Sequence, residues 1–192
     1  MKTNRDALLL IAFRLFLKNG YDQTRMQDLV AASGLSKGAF HHYFPRKADL
    51  LNACIEHFFG RFLPDMDPSA HQHFEDLVLD GARQYAQLID ELTSLDIPLP
   101  AYQRFVWSLL PEHSEAFTQR QRTIEDRLTQ LAEQDLAQRR LVSTNTAHTL
   151  AIQAMALTEG LGVLWAANPP KQKATPRAFF EQSCKAWLND VS

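Results

Sequence analysis

Along most of the chain apolar residues return every third or fourth position, the spacing that lines one side of a helix. No stretch alternates with the period of two expected of a half-buried strand. The first helical stretch runs from Thr3 to Asn19 on Leu8, Leu9, Ile11, Ala12, Leu15 and Phe16, and Gly20 follows as a residue able to close it in the left-handed region. Thr24, with Gln27 three positions on, reads as a capping box opening a second helix through Met26, Leu29, Val30 and Ala31 to Ser33. Gly34 breaks that helix and Leu35 supplies an apolar plug. Ser36 then caps a third helix over Lys37 to His42, which Pro45 ends. A fourth opens at Lys47, with Leu50, Leu51, Cys54, Ile55, Phe58, Phe59 and Phe62 as one broad stripe.

Beyond a proline-flanked break from Pro64 to Pro68, residues 69–92 read as a helix that turns Phe74, Leu77, Val78, Ala82, Tyr85, Leu88 and Ile89 inward. Thr93 to Pro100 reads as a loop. A short helix near 101–110 is expected to stop at Pro111, and a long charged one to run on to about Arg140 with Phe117, Ile124, Leu128 and Leu131 as its stripe. Residues 145–167 carry a single charge, Glu159, so this helix is expected to be buried on most sides, in a core or a subunit interface. Asn168-Pro169-Pro170 ends it, and a last helix spans about 176–189 on Phe179, Phe180, Cys184 and Trp187. The pattern predicts an all-α protein.

Composition adds little to that picture but excludes much. With 192 residues, 45% hydrophobic and 22% charged, 7 Gly and 9 Pro, the chain can build a core of ordinary size, which excludes disordered and fibrous classes. Two cysteines 130 positions apart, Cys54 and Cys184, suggest neither a disulfide framework nor a zinc knuckle, so a reducing, cytoplasmic location is expected. The apolar run Ala7 to Phe13 is too short and too closely flanked by charge to be a signal peptide, and no apolar stretch is expected to span a bilayer, which takes about 20 residues. The net charge of −2 divides unevenly: residues 1–60 hold 8 Lys/Arg against 5 Asp/Glu, and residues 61–192 hold 12 against 17. A basic front on an acidic body is the distribution of a small nucleic-acid-binding head on a larger regulatory or assembly domain.

The second and third helices, joined by a short turn containing Gly34, form a helix-turn-helix unit, whose second helix can enter a DNA major groove. Within residues 24–51, Gly34-Leu35-Ser36-Lys37-Gly38, Tyr43-Phe44, and Lys47 followed by Leu50-Leu51 occur together, preceded by Leu15-Phe16, Gly20-Tyr21 and Thr24. In these features the first 60 residues or so resemble the tetracycline-repressor (TetR) family of bacterial regulators; the rest resembles it in being helical and in length. The resemblance implies a dimeric transcription factor, usually a repressor, that leaves DNA when a small molecule enters its C-terminal domain. It also implies a four-helix dimer interface made by the last two helices of each subunit.

The residues give much of the DNA half independently. Thr24 and Arg25 stand at the start of the second helix, where backbone N–H groups and the helix dipole favour a phosphate, and Arg25 can reach a phosphate or a base edge. Ser36 and Lys37 begin the recognition helix, and Gly38 and Ala39 leave room for close approach to the groove. His41 and His42 can each donate to a phosphate or accept from a base edge according to tautomer, or one can pack inward; the family often carries an aromatic such as Tyr there. Tyr43 offers a hydroxyl and Lys47 an ammonium to phosphates, while Phe40 and Phe44 are assigned to the core.

One such head makes too few contacts for strong discrimination, so a homodimer on an imperfectly palindromic duplex is expected. Helices 145–167 and 176–189 are its candidate interface, with Ala154, Ala156, Gly160 and Gly162 permitting close approach. The domain division is 1–47 for the DNA-binding head and 48–192 for a ligand-binding and dimerisation body, with 48–63 as a connecting helix. Tyr85, Tyr102, Phe105, Trp107, Phe117, Met155 and Glu159 are candidate lining residues for an apolar or aromatic effector. His71 with His73, and Cys54 with His57, supply only two metal donors each, so no metal is assigned, and no cofactor is implied. His113, Ser114 and Glu115 are consecutive and diverge around a helix, so no catalytic set is indicated and no enzyme is expected. The competing reading is a helix-turn-helix scaffold that binds protein, which salt-insensitive DNA binding or none would favour.

Overall fold

The computed structural model of the chain describes residues 5–59, 70–168 and 175–191, and within them all side chains but those of 59, 109–117 and 120. Among the described residues every regular element is helical. The expected break at 64–68 and Phe62 lie outside the described residues. Two compact units emerge, Met1–Pro64 with Asp96–Ser108, and Asp65–Leu95 with Leu109–Ser192.

In the first unit α1 (Arg5–Asn19), α2 (Met26–Ser33), α3 (Lys37–Tyr43) and α4 (Lys47–Cys54) follow in order, and α4 runs on through a π-helical turn over Ile55–Phe59. Leu8, Leu9, Ala12, Phe13 and Phe16 of α1 are buried, with Leu29, Phe40, Leu50 and Cys54 from the other three helices. Phe13 stacks on Phe58 at 4.2 Å between ring centroids, and meets Phe105 edge-on at 5.6 Å. The expected stop at Gly20 holds: its φ is +83°, and its N–H donates to the Phe16 carbonyl over 2.9 Å. Gly34 ends α2 in the same way at φ +68°.

The second unit contains α5 (Phe74–Ser94), most of α6 (Leu99–Ala137), α7 (Ala147–Ala167) and α8 (Pro176–Val191). Helix α5 packs chiefly on α8, and α7 rests against both. Helix α5 begins later than expected because its first N–H is capped from outside: Phe74 N–H donates to Asp135 Oδ2 on α6 at 2.8 Å. The anticipated stop at Pro111 does not occur, since α6 is one helix of 39 residues. A proline removes a single i→i−4 bond and crowds the preceding turn, and here the helix continues on the bonds to either side.

Helix α7 is not buried on most sides within a single chain. Leu150, Ala151, Ala154, Leu161 and Gly162 are buried, but Ile152, Val163 and Leu164 are exposed, so within one chain it buries a single side. By length and composition alone it could cross a membrane, contrary to the sequence reading; its packing on α5 and α8 makes it part of a folded unit. Gly162, expected to admit a neighbouring subunit, instead admits the ring of Tyr85 from α5, whereas a Cβ at Gly160 would meet nothing within 4 Å.

Candidate nucleic-acid interface

The recognition segment is assembled by local capping and one buried edge. Ser36 takes an extended conformation and its Oγ accepts the Ala39 N–H at 3.3 Å, which starts α3. In the turn before it, Ser33 Oγ donates to the Val30 carbonyl at 2.7 Å and accepts the Leu35 N–H at 3.1 Å. Phe40 and Phe44, four residues apart, are both buried, and this single inner edge fixes the rotation of α3. Lys37, Gly38, Ala39, His42 and Tyr43 are consequently exposed. The Arg5 guanidinium lies 5.6 Å from the Phe44 ring centroid, a cation over the outer end of that apolar edge.

His41 is half-buried, and its Nδ1 lies 3.3 Å from the carbonyl oxygen of Pro45. A carbonyl only accepts, so Nδ1 carries the proton in this bond and the neutral ring keeps its lone pair on Nε2. His41 is thereby set as an acceptor.

At the start of α2 the expected roles shift by one residue. Thr24 is fully buried and its hydroxyl donates to the Gly20 carbonyl at 2.8 Å, so Thr24 closes the α1–α2 turn instead of capping α2. Its hydroxyl therefore faces inward, and the Thr24/Gln27 capping box does not form. Arg25 is the capping position, exposed, with its N–H donating to Asp28 Oδ2 at 2.9 Å. Lys47 also turns inward: its Nζ donates to the carbonyls of Tyr21 at 2.9 Å and Thr24 at 3.1 Å, and lies 4.2 Å from the Tyr21 ring centroid.

A neighbouring cation that sequence reasoning passed over is Arg46. Its exposed guanidinium grips Asp49 through two bonds, at 2.9 and 2.6 Å, which hold the Asp49 carboxyl below the ordinary carboxylate range. The i, i+3 spacing of this pair was available as a signal. The Lys47 contacts reach back 26 and 23 positions and leave no local trace.

Residues 8–54, which hold this assembly, match the family model for bacterial regulatory proteins, tetR family. The match takes in 47 of the 192 residues, so it is the head of the chain that is similar to the TetR family. It is 32% identical over 66 residues to the uncharacterized HTH-type transcriptional regulator YerO of Bacillus subtilis, a match covering 34% of this chain and 23% of YerO. It is 28% identical over 95 residues to the HTH-type transcriptional repressor ComR of Escherichia coli, covering 50% of this chain and 45% of ComR. The chain thus matches less than half the length of these curated relatives. Solved structures extend the likeness of fold to nearly the whole chain. A TetR/AcrR-family regulator from Thermobifida fusca superposes with a TM-score of 0.62 at 20% identity over 96% of both chains. A regulator from Saccharomonospora viridis, solved with choline, gives 0.60 at 18% identity over 95% of this chain and 93% of that one.

The candidate effector residues divide between the two units. Tyr102 and Phe105 are buried in the first, where Phe105 touches Phe13 and stacks on Phe16 at 6.5 Å, so Phe105 is a core residue of that unit. Trp107, in the same unit, is 69% exposed. In the second unit, half-buried Tyr85 stacks on Phe180 at 5.0 Å, and Met155 and Glu159 lie one turn apart on α7. Glu159 reaches solvent, yet the apolar helix around it strips part of its hydration and pushes its carboxyl up. The Phe117 side chain lies outside the described residues.

The two-donor metal candidates are otherwise engaged. His71 pairs with Asp80 at 3.4 Å, and His73 with Asp135 at 3.2 Å. The buried Cys54 thiol donates to the Leu9 carbonyl at 3.5 Å, and burial pushes it up to about 12. Among the described residues no three His, Cys, Asp or Glu side chains gather as a metal set.

Proposed function

We propose that this chain is a sequence-specific DNA-binding transcriptional regulator, a repressor that leaves a palindromic operator when a small molecule binds, and not an enzyme. The observation that carries this reading is the polarity of α3: one edge is sunk by Phe40 and Phe44, and the other is left as a strip of Lys37, Gly38, Ala39, His42 and Tyr43. Two residues without bulk at the centre of that strip suit close approach of backbone to a groove floor, with a cation and a phenol at its ends. Residues 1–47 serve as the head in this reading, with Arg25, Ser36, Lys37, His41, His42 and Tyr43 as its contacts, and 48–192 serve as the body.

Dimerisation through α7 and α8 is favoured by Val163 and Leu164, exposed by 58% and 61% on α7 within a single chain. An apolar or aromatic effector with a few polar handles is the ligand class that the candidate residues suit, Tyr85, Met155 and Glu159 among them. The Saccharomonospora viridis protein, similar in fold, was solved with choline, a small cation, which supports a small-molecule ligand for this fold without favouring an apolar one.

The test is a titration of wild-type, Arg25→Ala and Lys37→Ala proteins against a duplex that the wild type retains, across a salt series. Each lost phosphate contact flattens the slope of log K against log salt by about 0.9. Affinity and slope unchanged in both variants would refute the assignment of this face.

A further inference from the structure

We propose that Lys47 is a positioning residue of the DNA-binding head: its ammonium ties the first turn of α4 to the α1–α2 turn and so sets where Arg25 stands relative to α3. The inference rests on the DNA-binding reading above and reassigns one residue within it.

An ammonium has three N–H donors and no acceptor. In this fold one donates to the Tyr21 carbonyl at 2.9 Å and another to the Thr24 carbonyl at 3.1 Å, while the charge lies 4.2 Å from the Tyr21 ring centroid. The cation is thus enclosed on three sides by the residues that begin and end one short turn. That turn is closed a second time from within. Thr24 N–H donates back to the Tyr21 carbonyl at 3.2 Å, and the buried Thr24 hydroxyl donates to Gly20 at 2.8 Å.

Arg25 follows immediately and is the capping residue from which α2 starts. Its carbonyl accepts the N–H of Asp28 at 3.0 Å and of Leu29 at 3.3 Å. Whatever fixes the Thr24 carbonyl therefore fixes the first turn of α2. Since α4 begins only four residues after α3 ends, Lys47 joins the two ends of the helix-turn-helix unit through a contact made by neither of its helices. With two of its three N–H donors on these carbonyls, the ammonium has one left for a phosphate, and turning wholly outward would break two charge-assisted bonds.

The experiment uses the full chain with Lys47→Met, which keeps the stem and removes the donors, read by DNA affinity across a salt series and by amide exchange in the free protein. The account predicts severalfold weaker binding with an unchanged salt slope. It also predicts faster exchange at Thr24, Asp28 and Leu29, with rates in α5 to α8 kept. A slope flattened by about 0.9 would make Lys47 a phosphate ligand and overturn the proposal. Unchanged affinity in folded protein, or unchanged exchange at those amides, would overturn it too. Should the Met variant not fold, Lys47→Gln, which shortens the stem by one atom and removes the charge, is expected to weaken binding and speed exchange at the same amides to a lesser degree, with the salt slope unchanged. If wild-type protein retains no duplex while the exchange arm responds, the DNA-binding reading fails and the tie itself stands.

Discussion

The ring of Tyr85 on α5 occupies the space that a side chain at position 162 of α7 would need, so these two helices meet at a point where only glycine fits. The hydroxyl and the adjacent ring carbons of Tyr85 would all overlap a Cβ there, and the ring is held in place by its stack on Phe180. Gly162→Ala should therefore destabilise the chain by roughly 1–3 kcal/mol, despite alanine's better helix propensity. In a Tyr85→Ala background the same change should cost much less, a coupling that a double-mutant denaturation cycle measures. Gly160→Ala meets open space and should raise stability by up to about 1 kcal/mol.

Asp135 is a buried carboxylate that joins distant parts of the second unit. It accepts the Phe74 N–H at 2.8 Å, and it faces His73 at 3.2 Å and Arg140 at 3.6 Å. Asp135→Ala removes the outside cap of α5 and leaves the buried Phe74 N–H unmatched, which should cost about 1–3 kcal/mol in chemical denaturation. Equal stability of variant and wild type would show that the cap is not what starts α5.

Ser36 is the cap of a helix of only seven residues, so its loss has little to compensate it. Ser36→Ala should cost about 1 kcal/mol and speed amide exchange at Ala39, while Ser36→Asp should retain most of the stability.

Cys54 gives the fold a sign in alkaline solution. Burial raises its thiol from 9.0 to about 12, so on raising the pH across that window the unfolded chain releases a proton that the folded chain keeps. Stability conferred below about 9 is then progressively lost between 9 and 12. Cys54→Ala should show a shallower loss over this range in pH-dependent denaturation. Native protein should also resist thiol reagents at Cys54 near neutral pH.

His41 should read its base as an acceptor, because its Nδ1 proton is engaged by the Pro45 carbonyl. The base edges that donate in the major groove are the amino groups of adenine and cytosine. His41→Ala should relax preference for one of these at a single position of each half-site, with little change in salt slope. A preference unchanged by the substitution would remove His41 from the reading face.

Local features of this fold were legible because they are settled by neighbours in sequence. Gly20 ends α1 and Ser36 opens α3 through bonds within four residues, and the all-helical class follows from spacing alone. What sequence could not show was decided at a distance. Thr24 has the spacing of a cap, but burial directs its hydroxyl to Gly20 and leaves capping to Arg25 and Asp28. The start of α5 is set by Asp135, 61 positions away, and the need for Gly162 by Tyr85. Pro111 reads as a stop, yet lies inside a 39-residue helix. At the candidate interface the exposed strip of α3 follows from two phenylalanines one turn apart, whereas the inward turn of Lys47 depends on carbonyls of a remote segment.

The central claim is that the strip on α3 reads DNA as part of a two-fold dimer. The most direct measurement is to incubate the purified protein with a random duplex pool at physiological salt, where nonspecific attraction is weakened, and to sequence what it retains. The account predicts enrichment of one imperfect palindrome whose half-sites lie on the same face of the duplex, and loss of that enrichment in Lys37→Ala. A folded protein that enriched no sequence, or one whose enrichment survived the substitution unchanged, would contradict it.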